Sequence, residues 1–543
     1  MNNSWFAGWR PYALLGLLCL CLYLPGMAAI PVTDRDEARF AQATRQMLES
    51  GDFLHIRFQD EARNNKPAGI YWLQAAAVDA LSTPQSTAIW PYRVPSLVGA
   101  TLAVLFTFGF GRALFGEPRR ALIGAVLLAV ALGTIAEAHL AKTDAALLGA
   151  IAAGQGALGL AYSRARSGVI VRPGIAAAFW LAEIAAIYLK GPVGPGLAVI
   201  TAATLTIADR DLSWLRGLRP LLGIVVAVIA VAPWLWAIES ATQGQFLDQS
   251  VGHDLLSKVL GAQEAHGAPP LYYLGLAFLT FWPGSLLIAP AVIGGWRRRS
   301  EPAARFLMAW LVPAWVMLEL VPTKLPHYAL PLYPALALLA ASVLIDARPT
   351  PGWARWVSVA NVVIWLLVTL LLAAALVELP YRFGGGTVFP GIAAACGLVA
   401  LAVVLLWRRS DATKTGTLLA VMSLVFAVPA AHFVVPSLDR LWLSRSAAAL
   451  VARHEPLAGT TLAVIGYNEP SLVFLLNDSF KSGMADAPVS AGDEALVAGT
   501  MDSDFQRNLV QHGLTAEPIG SVGGADYSNG KQMTLTLYKI AAK

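Results

Sequence analysis

"PVTDRDEARFA", residues 31–41, follows directly on an apolar run at 11–30 and packs five charged side chains, Asp34, Arg35, Asp36, Glu37 and Arg39, into eleven positions. The run before it is about 20 residues long, enough to cross a bilayer, so this stretch is read as the lip of a membrane helix rather than the end of a cleaved leader. Ionisable groups at such a boundary are costly, and they mark a functional site by default. The rest of the chain agrees with a membrane setting. Its 543 residues are 57% hydrophobic and 13% charged, with a mean hydropathy of +0.59, whereas soluble domains average about 25% charged residues. The net charge of +5 is spread in short basic clusters between apolar runs, which orients membrane helices and excludes a nucleic-acid partner. Cys19, Cys21 and Cys396 all lie inside apolar runs, against a disulfide framework or a thiolate metal site.

Working outward from this lip, apolar segments of spanning length recur at about 11–30, 93–115, 119–138, 141–162, 174–189, 191–208, 219–238, 270–294, 303–320, 327–345, 353–379, 387–407 and 415–434, thirteen expected helices. With a cytoplasmic N-terminus, the inner loops and Arg10 collect 19 cations. The outer loops after the first contain Lys142, Lys190, Lys258, Lys324 and Arg382 alone. That asymmetry sets the orientation. The expected fold is an α-helical polytopic membrane protein over 1–435, with a long outer loop at 31–92, followed by a small extracytoplasmic α/β domain over 436–543. In the loop, "ARFAQATRQMLESGDF" and "AGIYWLQAAAVDAL" are amphipathic and are expected to lie in the interface. In the C-terminal part, "TTLAVIGY", "EALVAG" and "MTLTLYKI" alternate as strands do, and "EPSLVFLLN" reads as a helix.

The outer side is poor in cations, so its ionisable groups are informative. Thr33 or Asp34 can cap a helix that acids favour at its positive end. A cap leaves Asp36, Glu37 and Arg39 unexplained; Asp36 and Arg39, three apart, can pair on one face. Lys66 in "RNNKPAGIYWLQ" is either a snorkelling lysine beside Tyr71 and Trp72 or a site residue. "HLAKTDAALLGA" (139–150) brings His139, Lys142 and Asp144 to one tight outer turn. Lys190 in "IYLKGPVGP" and Lys324 in "VPTKLPHYALPLYP" repeat the pattern of a single cation held by Gly or Pro. Together they suggest one polar cavity in which lysines neutralise phosphate and carboxylates address another group. In "QSVGHDLLSKVLGAQEAHGAPPLYY" (249–273), His253, Asp254, Glu264 and His266 are of N/O metal-ligand type, or belong to a plain polar loop.

At these positions the sequence resembles the GT-C membrane glycosyltransferases, in particular the bacterial lipid A aminoarabinose transferases and their relatives the protein O-mannosyltransferases. The shared pattern is Asp36, Glu37 and Arg39 after the first helix, then "ESGDF", then Lys66-Pro67 before Tyr71-Trp72, Asp144 at a helix start, and "TKLPHYALPLYPALALL". The resemblance implies a bacterial inner-membrane enzyme moving a sugar from an undecaprenyl-phosphate carrier to lipid A or another envelope acceptor on the periplasmic side, with no required cofactor and a divalent metal as an option. It makes Asp36 the essential acid with Asp144 its partner and Glu37 beside them. Lys66, Lys190, Lys324, Arg39 and Tyr328 would hold the carrier phosphate; His253, Glu264 and His266 would face a metal or the acceptor. Asn65 stands where the lipid A enzymes have Glu before Lys-Pro, and "HDLLSKVLGAQEAH" also departs from their pattern, as in a sister branch with another acceptor. A protein acceptor is the alternative within the class. The rival outside it is a polyprenyl-lipid transporter or flippase. Charges gathered at one face rather than at the midplane, and the lack of an inverted repeat, speak against that rival.

Overall fold

The computed structural model describes residues 8–33, 35–250, 252, 268–346, 352–384, 388–408, 411–454, 461–477, 480–526 and 530–543. His253, Glu264 and His266 lie outside the described residues, as does Asp34. Among those described, nine helices are long and apolar enough to cross a membrane, or ten if Pro118–Ala129 and Leu132–Ala138, bent by 60° at their junction, form one span. Three of the thirteen expected segments fall short of that length: Arg10–Tyr23, Val193–Asp209, and the region 272–297, which breaks into Tyr272–Thr280, Gly284–Leu287 and Ile288–Arg297.

Backbone freed by a break inside a bilayer must be satisfied by protein, and both breaks are. At the first, the Tyr23 hydroxyl donates to the Ala129 carbonyl (2.9 Å) and Ser423 to the Val130 carbonyl (2.9 Å). The Leu132 N–H reaches across to the Trp282 carbonyl of the second break (2.9 Å). There, Asn361 donates to the carbonyls of Ser285 (3.0 Å) and Leu286 (2.9 Å) and accepts from Ala289 N–H (3.0 Å). Trp365 Nε1 donates to the Pro283 carbonyl (3.0 Å).

Small residues set the closest helix contact. A Cβ on Gly99, in Trp90–Phe115, would come within 2.4 Å of Ala146 Cα, and one on Gly149, in Asp144–Arg166, within 2.8 Å of the Gly99 carbonyl oxygen. The two helices interlock backbone to backbone, as small residues allow in membranes. On Pro220–Ala241, Leu221, Ile229 and Trp236 are all exposed, the pattern of a helix suited to face lipid.

The outer loop folds as helix Arg35–Ser50, a two-stranded ribbon of Arg57–Phe58 and Glu61–Ala62, and helix Gly69–Leu81. Arg35–Ser50 is packed against protein, with Ala38, Phe40, Ala43, Thr44 and Arg45 all buried. What covers it is the C-terminal domain. Helix Pro470–Leu475 inserts Phe474, whose ring meets Tyr92 edge-on (5.5 Å) and carries the Arg45 guanidinium 4.1 Å above its centroid. That domain is a five-stranded sheet in the order Phe480–Gly483, Leu462–Ile465, Glu494–Ala498, Lys531–Ala542, Leu514–Asp526. The first three strands run parallel and the last two pair antiparallel.

Candidate functional site

The outer turn at 139–143 is held from several directions, which fixes the start of the helix that follows it. Ser96 Oγ donates toward the Leu140 carbonyl (2.6 Å), Gln74 Nε2 donates to the Ala141 carbonyl (3.1 Å), and Ala141 N–H donates to Glu37 (2.8 Å). The His139 ring is spent on backbone, with its nitrogens 2.8 Å from the Ile135 and Pro25 carbonyls. Of the three ionisable groups in "HLAKTD", therefore, His139 turns away, whereas Lys142 and Asp144 turn inward.

Inward they meet a cluster drawn from four elements. Lys190, the last residue of Pro173–Lys190, donates to Asp144 Oδ1 at 2.5 Å. Lys142 Nζ lies 3.5 Å from Glu137 Oε1. His327, in the 3-10 turn Pro326–Leu332, stands between the carboxylates, with Nδ1 4.0 Å from Glu137 Oε1 and Nε2 3.7 Å from Asp144 Oδ1. Tyr328 packs edge-on to His327 (5.0 Å) and under the Lys190 ammonium (5.3 Å). Glu137, Lys142 and Asp144 are all buried. With both carboxylates ionised, the two ammoniums cancel them and the cluster carries no net charge around an uncharged imidazole.

Lys324 is different. It is 6% exposed, and its ammonium donates to the Val321 carbonyl at 2.7 Å; among the described residues no carboxylate pairs with it. Burying a charge without a counter-ion is expensive, and an ammonium so placed is suited to meet an anion. Lys66 is half-buried in the turn ahead of Gly69–Leu81.

Asp36 is 49% exposed in the first turn of Arg35–Ser50, 4.0 Å from Arg39 and 3.7 Å from Arg63. Arg63 in turn donates to the Tyr71 hydroxyl (3.2 Å) and lies 5.1 Å from the Phe40 centroid. The Asp36 charge acts on both Tyr71 and His327, so it lies within electrostatic reach of the cluster.

Glu37, one residue on, faces the other way. It is fully buried and takes Arg93 side-on through Nε (2.8 Å) and Nη2 (2.9 Å), the Thr33 N–H (2.7 Å) and hydroxyl (2.8 Å), and Ala141 N–H. Burial alone would push its carboxyl up, but Arg93 and these hydrogen bonds outweigh that and hold it below the ordinary value. Nothing is left to offer a substrate. The geometry makes Glu37 a positioning residue in place of the catalytic one suggested by the sequence.

Two members of the cluster lie beyond the residues the sequence singles out: Glu137, whose signal is a lone carboxylate inside the apolar run 119–138, and His327, the ring in "TKLPHYALP". Among the described residues no group of three or more His, Cys, Asp or Glu could hold a metal ion.

No family model matches the chain. It is similar to undecaprenyl phosphate-alpha-4-amino-4-deoxy-L-arabinose arabinosyl transferases of Pseudomonas savastanoi pv. phaseolicola (27% identical, covering 62% of each chain) and Pectobacterium carotovorum (26% identical, covering 72% of this chain and 70% of that one). The first of these alignments spans less than two thirds of the relative's length. In three dimensions it matches the crystal structure of ArnT from Cupriavidus metallidurans bound to undecaprenyl phosphate over 97% of both chains, with a TM-score of 0.76 at 19% identity. A more distant match is the Archaeoglobus fulgidus oligosaccharyltransferase (TM-score 0.51, 13% identity, covering 88% of this chain and 65% of that one). The fold is that of these membrane glycosyltransferases, a polytopic helical bundle with a C-terminal sheet domain.

Proposed function

We propose that this multi-pass protein of the bacterial inner membrane transfers a sugar from an undecaprenyl-phosphate carrier to an envelope acceptor such as lipid A, on the periplasmic side. The reading takes the N-terminus as cytoplasmic and the C-terminal sheet domain as periplasmic. The observation that carries it is the buried Lys324 ammonium without a carboxylate partner among the described residues, next in sequence to the turn that joins Asp144, Lys190 and Tyr328. A lipid phosphate is the anion that site calls for.

The leaving group is a phosphate, already a weak base, so the catalytic task is to stabilise charge as the glycosidic C–O bond breaks rather than to protonate it. Ammonium groups fixed in a water-poor site do this better than the same charges in water. Lys324, Lys190 and Lys66 hold the carrier phosphate, with Arg39 and Tyr328 beside them. Asp36, on the exposed rim, meets the acceptor. With a hydroxyl acceptor it takes the proton, within hydrogen-bond reach; with a phosphate acceptor, already anionic, it orients the incoming group. Asp144 positions Lys190. Every proposed step runs on the chain's own side chains.

The test is purified protein in nanodiscs with undecaprenyl-phosphate aminoarabinose and lipid A, read by mass spectrometry. Labelled lipid A with released carrier phosphate supports the reading, and Asp36→Asn should lower the rate about 100-fold, the span of a misplaced reacting group. Labelled peptide in place of lipid A would move the acceptor to protein. Carrier that crosses the bilayer intact with no transfer would overturn the enzyme reading in favour of a flippase.

A further inference from the structure

Asp144 Oδ1 faces two cations' worth of chemistry at once: the Lys190 ammonium at 2.5 Å and His327 Nε2 at 3.7 Å. The other ring nitrogen of His327 faces Glu137 Oε1 at 4.0 Å, and Glu137 Oε2 is buried without a hydrogen-bond partner. A neutral imidazole has a single N–H, so one of the two carboxylates always looks at a lone pair. The groups around the ring are charge-balanced only while Lys190 stays on Asp144. If Lys190 turns to a phosphate, Asp144 loses its direct ammonium partner and faces the ring, with Lys142 the remaining cation acting on it.

We propose that His327 is the stand-in counter-ion for Asp144: when Lys190 engages the carrier phosphate, His327 takes up one proton from solvent and holds Asp144 in place. Glu137 receives the second N–H of the resulting imidazolium, which accounts for a carboxylate placed on the far side of the ring. The charged groups facing His327 are Glu137 from Leu132–Ala138, Lys142 from the turn, Asp144 and Lys190 from their helix ends, and Asp36 from the rim. With the lipid phosphate neutralising Lys190, and Asp36 paired to Arg39 and Arg63, the two carboxylates Glu137 and Asp144 outnumber Lys142 by one, and a proton on the ring restores the balance. His327 thereby acts as a positioning residue, through Asp144, and rests on the carrier-phosphate reading above.

The experiment uses the full chain in detergent and a polyprenyl methyl phosphodiester, whose phosphate stays monoanionic so that the ligand itself does not titrate. Isothermal titration in two buffers of different ionisation enthalpy should show about one proton taken up per lipid bound near pH 7, with Kd weakening about tenfold per pH unit above neutrality. His327→Gln should bind with no proton uptake and a flat pH profile, a change that a purely structural role would not produce. Lys190→Met should bind more weakly and also lose the uptake, because the ammonium whose departure triggers it is gone. Uptake absent in the parent protein, or unchanged in either variant, overturns the proposal and leaves the function standing. Failure of the lipid to bind at any pH overturns both.

Discussion

Asp36 and Glu37 are one position apart, and a helix turns by about 100° per residue, so one carboxylate faces the rim while its neighbour faces the core. Glu37 accordingly belongs to stability. Breaking a buried pair by removing one partner strands the other charge and costs about 3–5 kcal/mol, so Arg93→Met should lower the unfolding temperature in detergent far more than Arg39→Met does at the exposed pair. The pH dependence follows with a definite sign. The folded carboxyl sits below its ordinary value of 4.5, so its contribution is fully present above pH 4.5 and is lost as pH falls through the lower folded value. Glu37→Gln should therefore flatten the acid limb of a thermal-stability profile; an unchanged limb would remove Glu37 from the argument. Lys324 should behave in the opposite way. Replacing a buried charge by an apolar side chain of similar length is often neutral or stabilising. Lys324→Met should then keep or raise the unfolding temperature while weakening polyprenyl-phosphate binding at least tenfold, and a large loss of stability with intact binding would return it to a structural role.

At the scale of elements, the site depends on two junctions that hold no substrate. The first is the contact of Gly99 with Gly149 and Ala146, which sets the depth of Asp144. Gly99→Leu needs the two backbones to part, so the variant should be poorly folded or inactive, whereas the same change at Gly16, where a Cβ meets nothing within 4 Å, should be silent. Thermal unfolding of the two variants side by side decides it. The second junction is Phe474 of the C-terminal domain, seated on Arg45, whose guanidinium also donates to the Phe474 carbonyl (2.7 Å) and the Ser86 carbonyl (2.9 Å). Removing a buried Phe costs about 3–5 kcal/mol. Because Phe474 caps the helix that carries Asp36, Phe474→Ala should expose residues 35–50 to proteolysis before the bundle unfolds.

For the whole molecule, much of the architecture was legible because its signals are strong in one dimension. Spanning helices declare themselves by length, the lysines at 190 and 324 by their isolation between Gly and Pro, and Asp144 by opening an apolar helix. Three strands were also readable from alternation, and the helix at 470–475 from the apolar run in "EPSLVFLLN". What stayed hidden is what only three dimensions bring together. The strand Leu514–Asp526 carries three glycines and a proline and lies on one edge of its sheet, so it has no apolar alternation to read. The breaks at 130 and 283 are silent because their partners, Ser423 and Asn361, are remote in sequence. Likewise Glu37 and Arg93 are 56 residues apart, so nothing local told the saturated carboxylate from the exposed one. The expected orientation ties these parts to the membrane. The contact between Pro470–Leu475 and Arg35–Ser50 requires the first outer loop and the C-terminal domain to share one side, whichever side that is. The cation count leads us to expect it on the outside. Protease added to spheroplasts should remove the C-terminal sheet domain, and protease added to inverted vesicles should spare it; the reverse pattern would turn the whole bundle over and put the lysine-lined site on the cytoplasmic face.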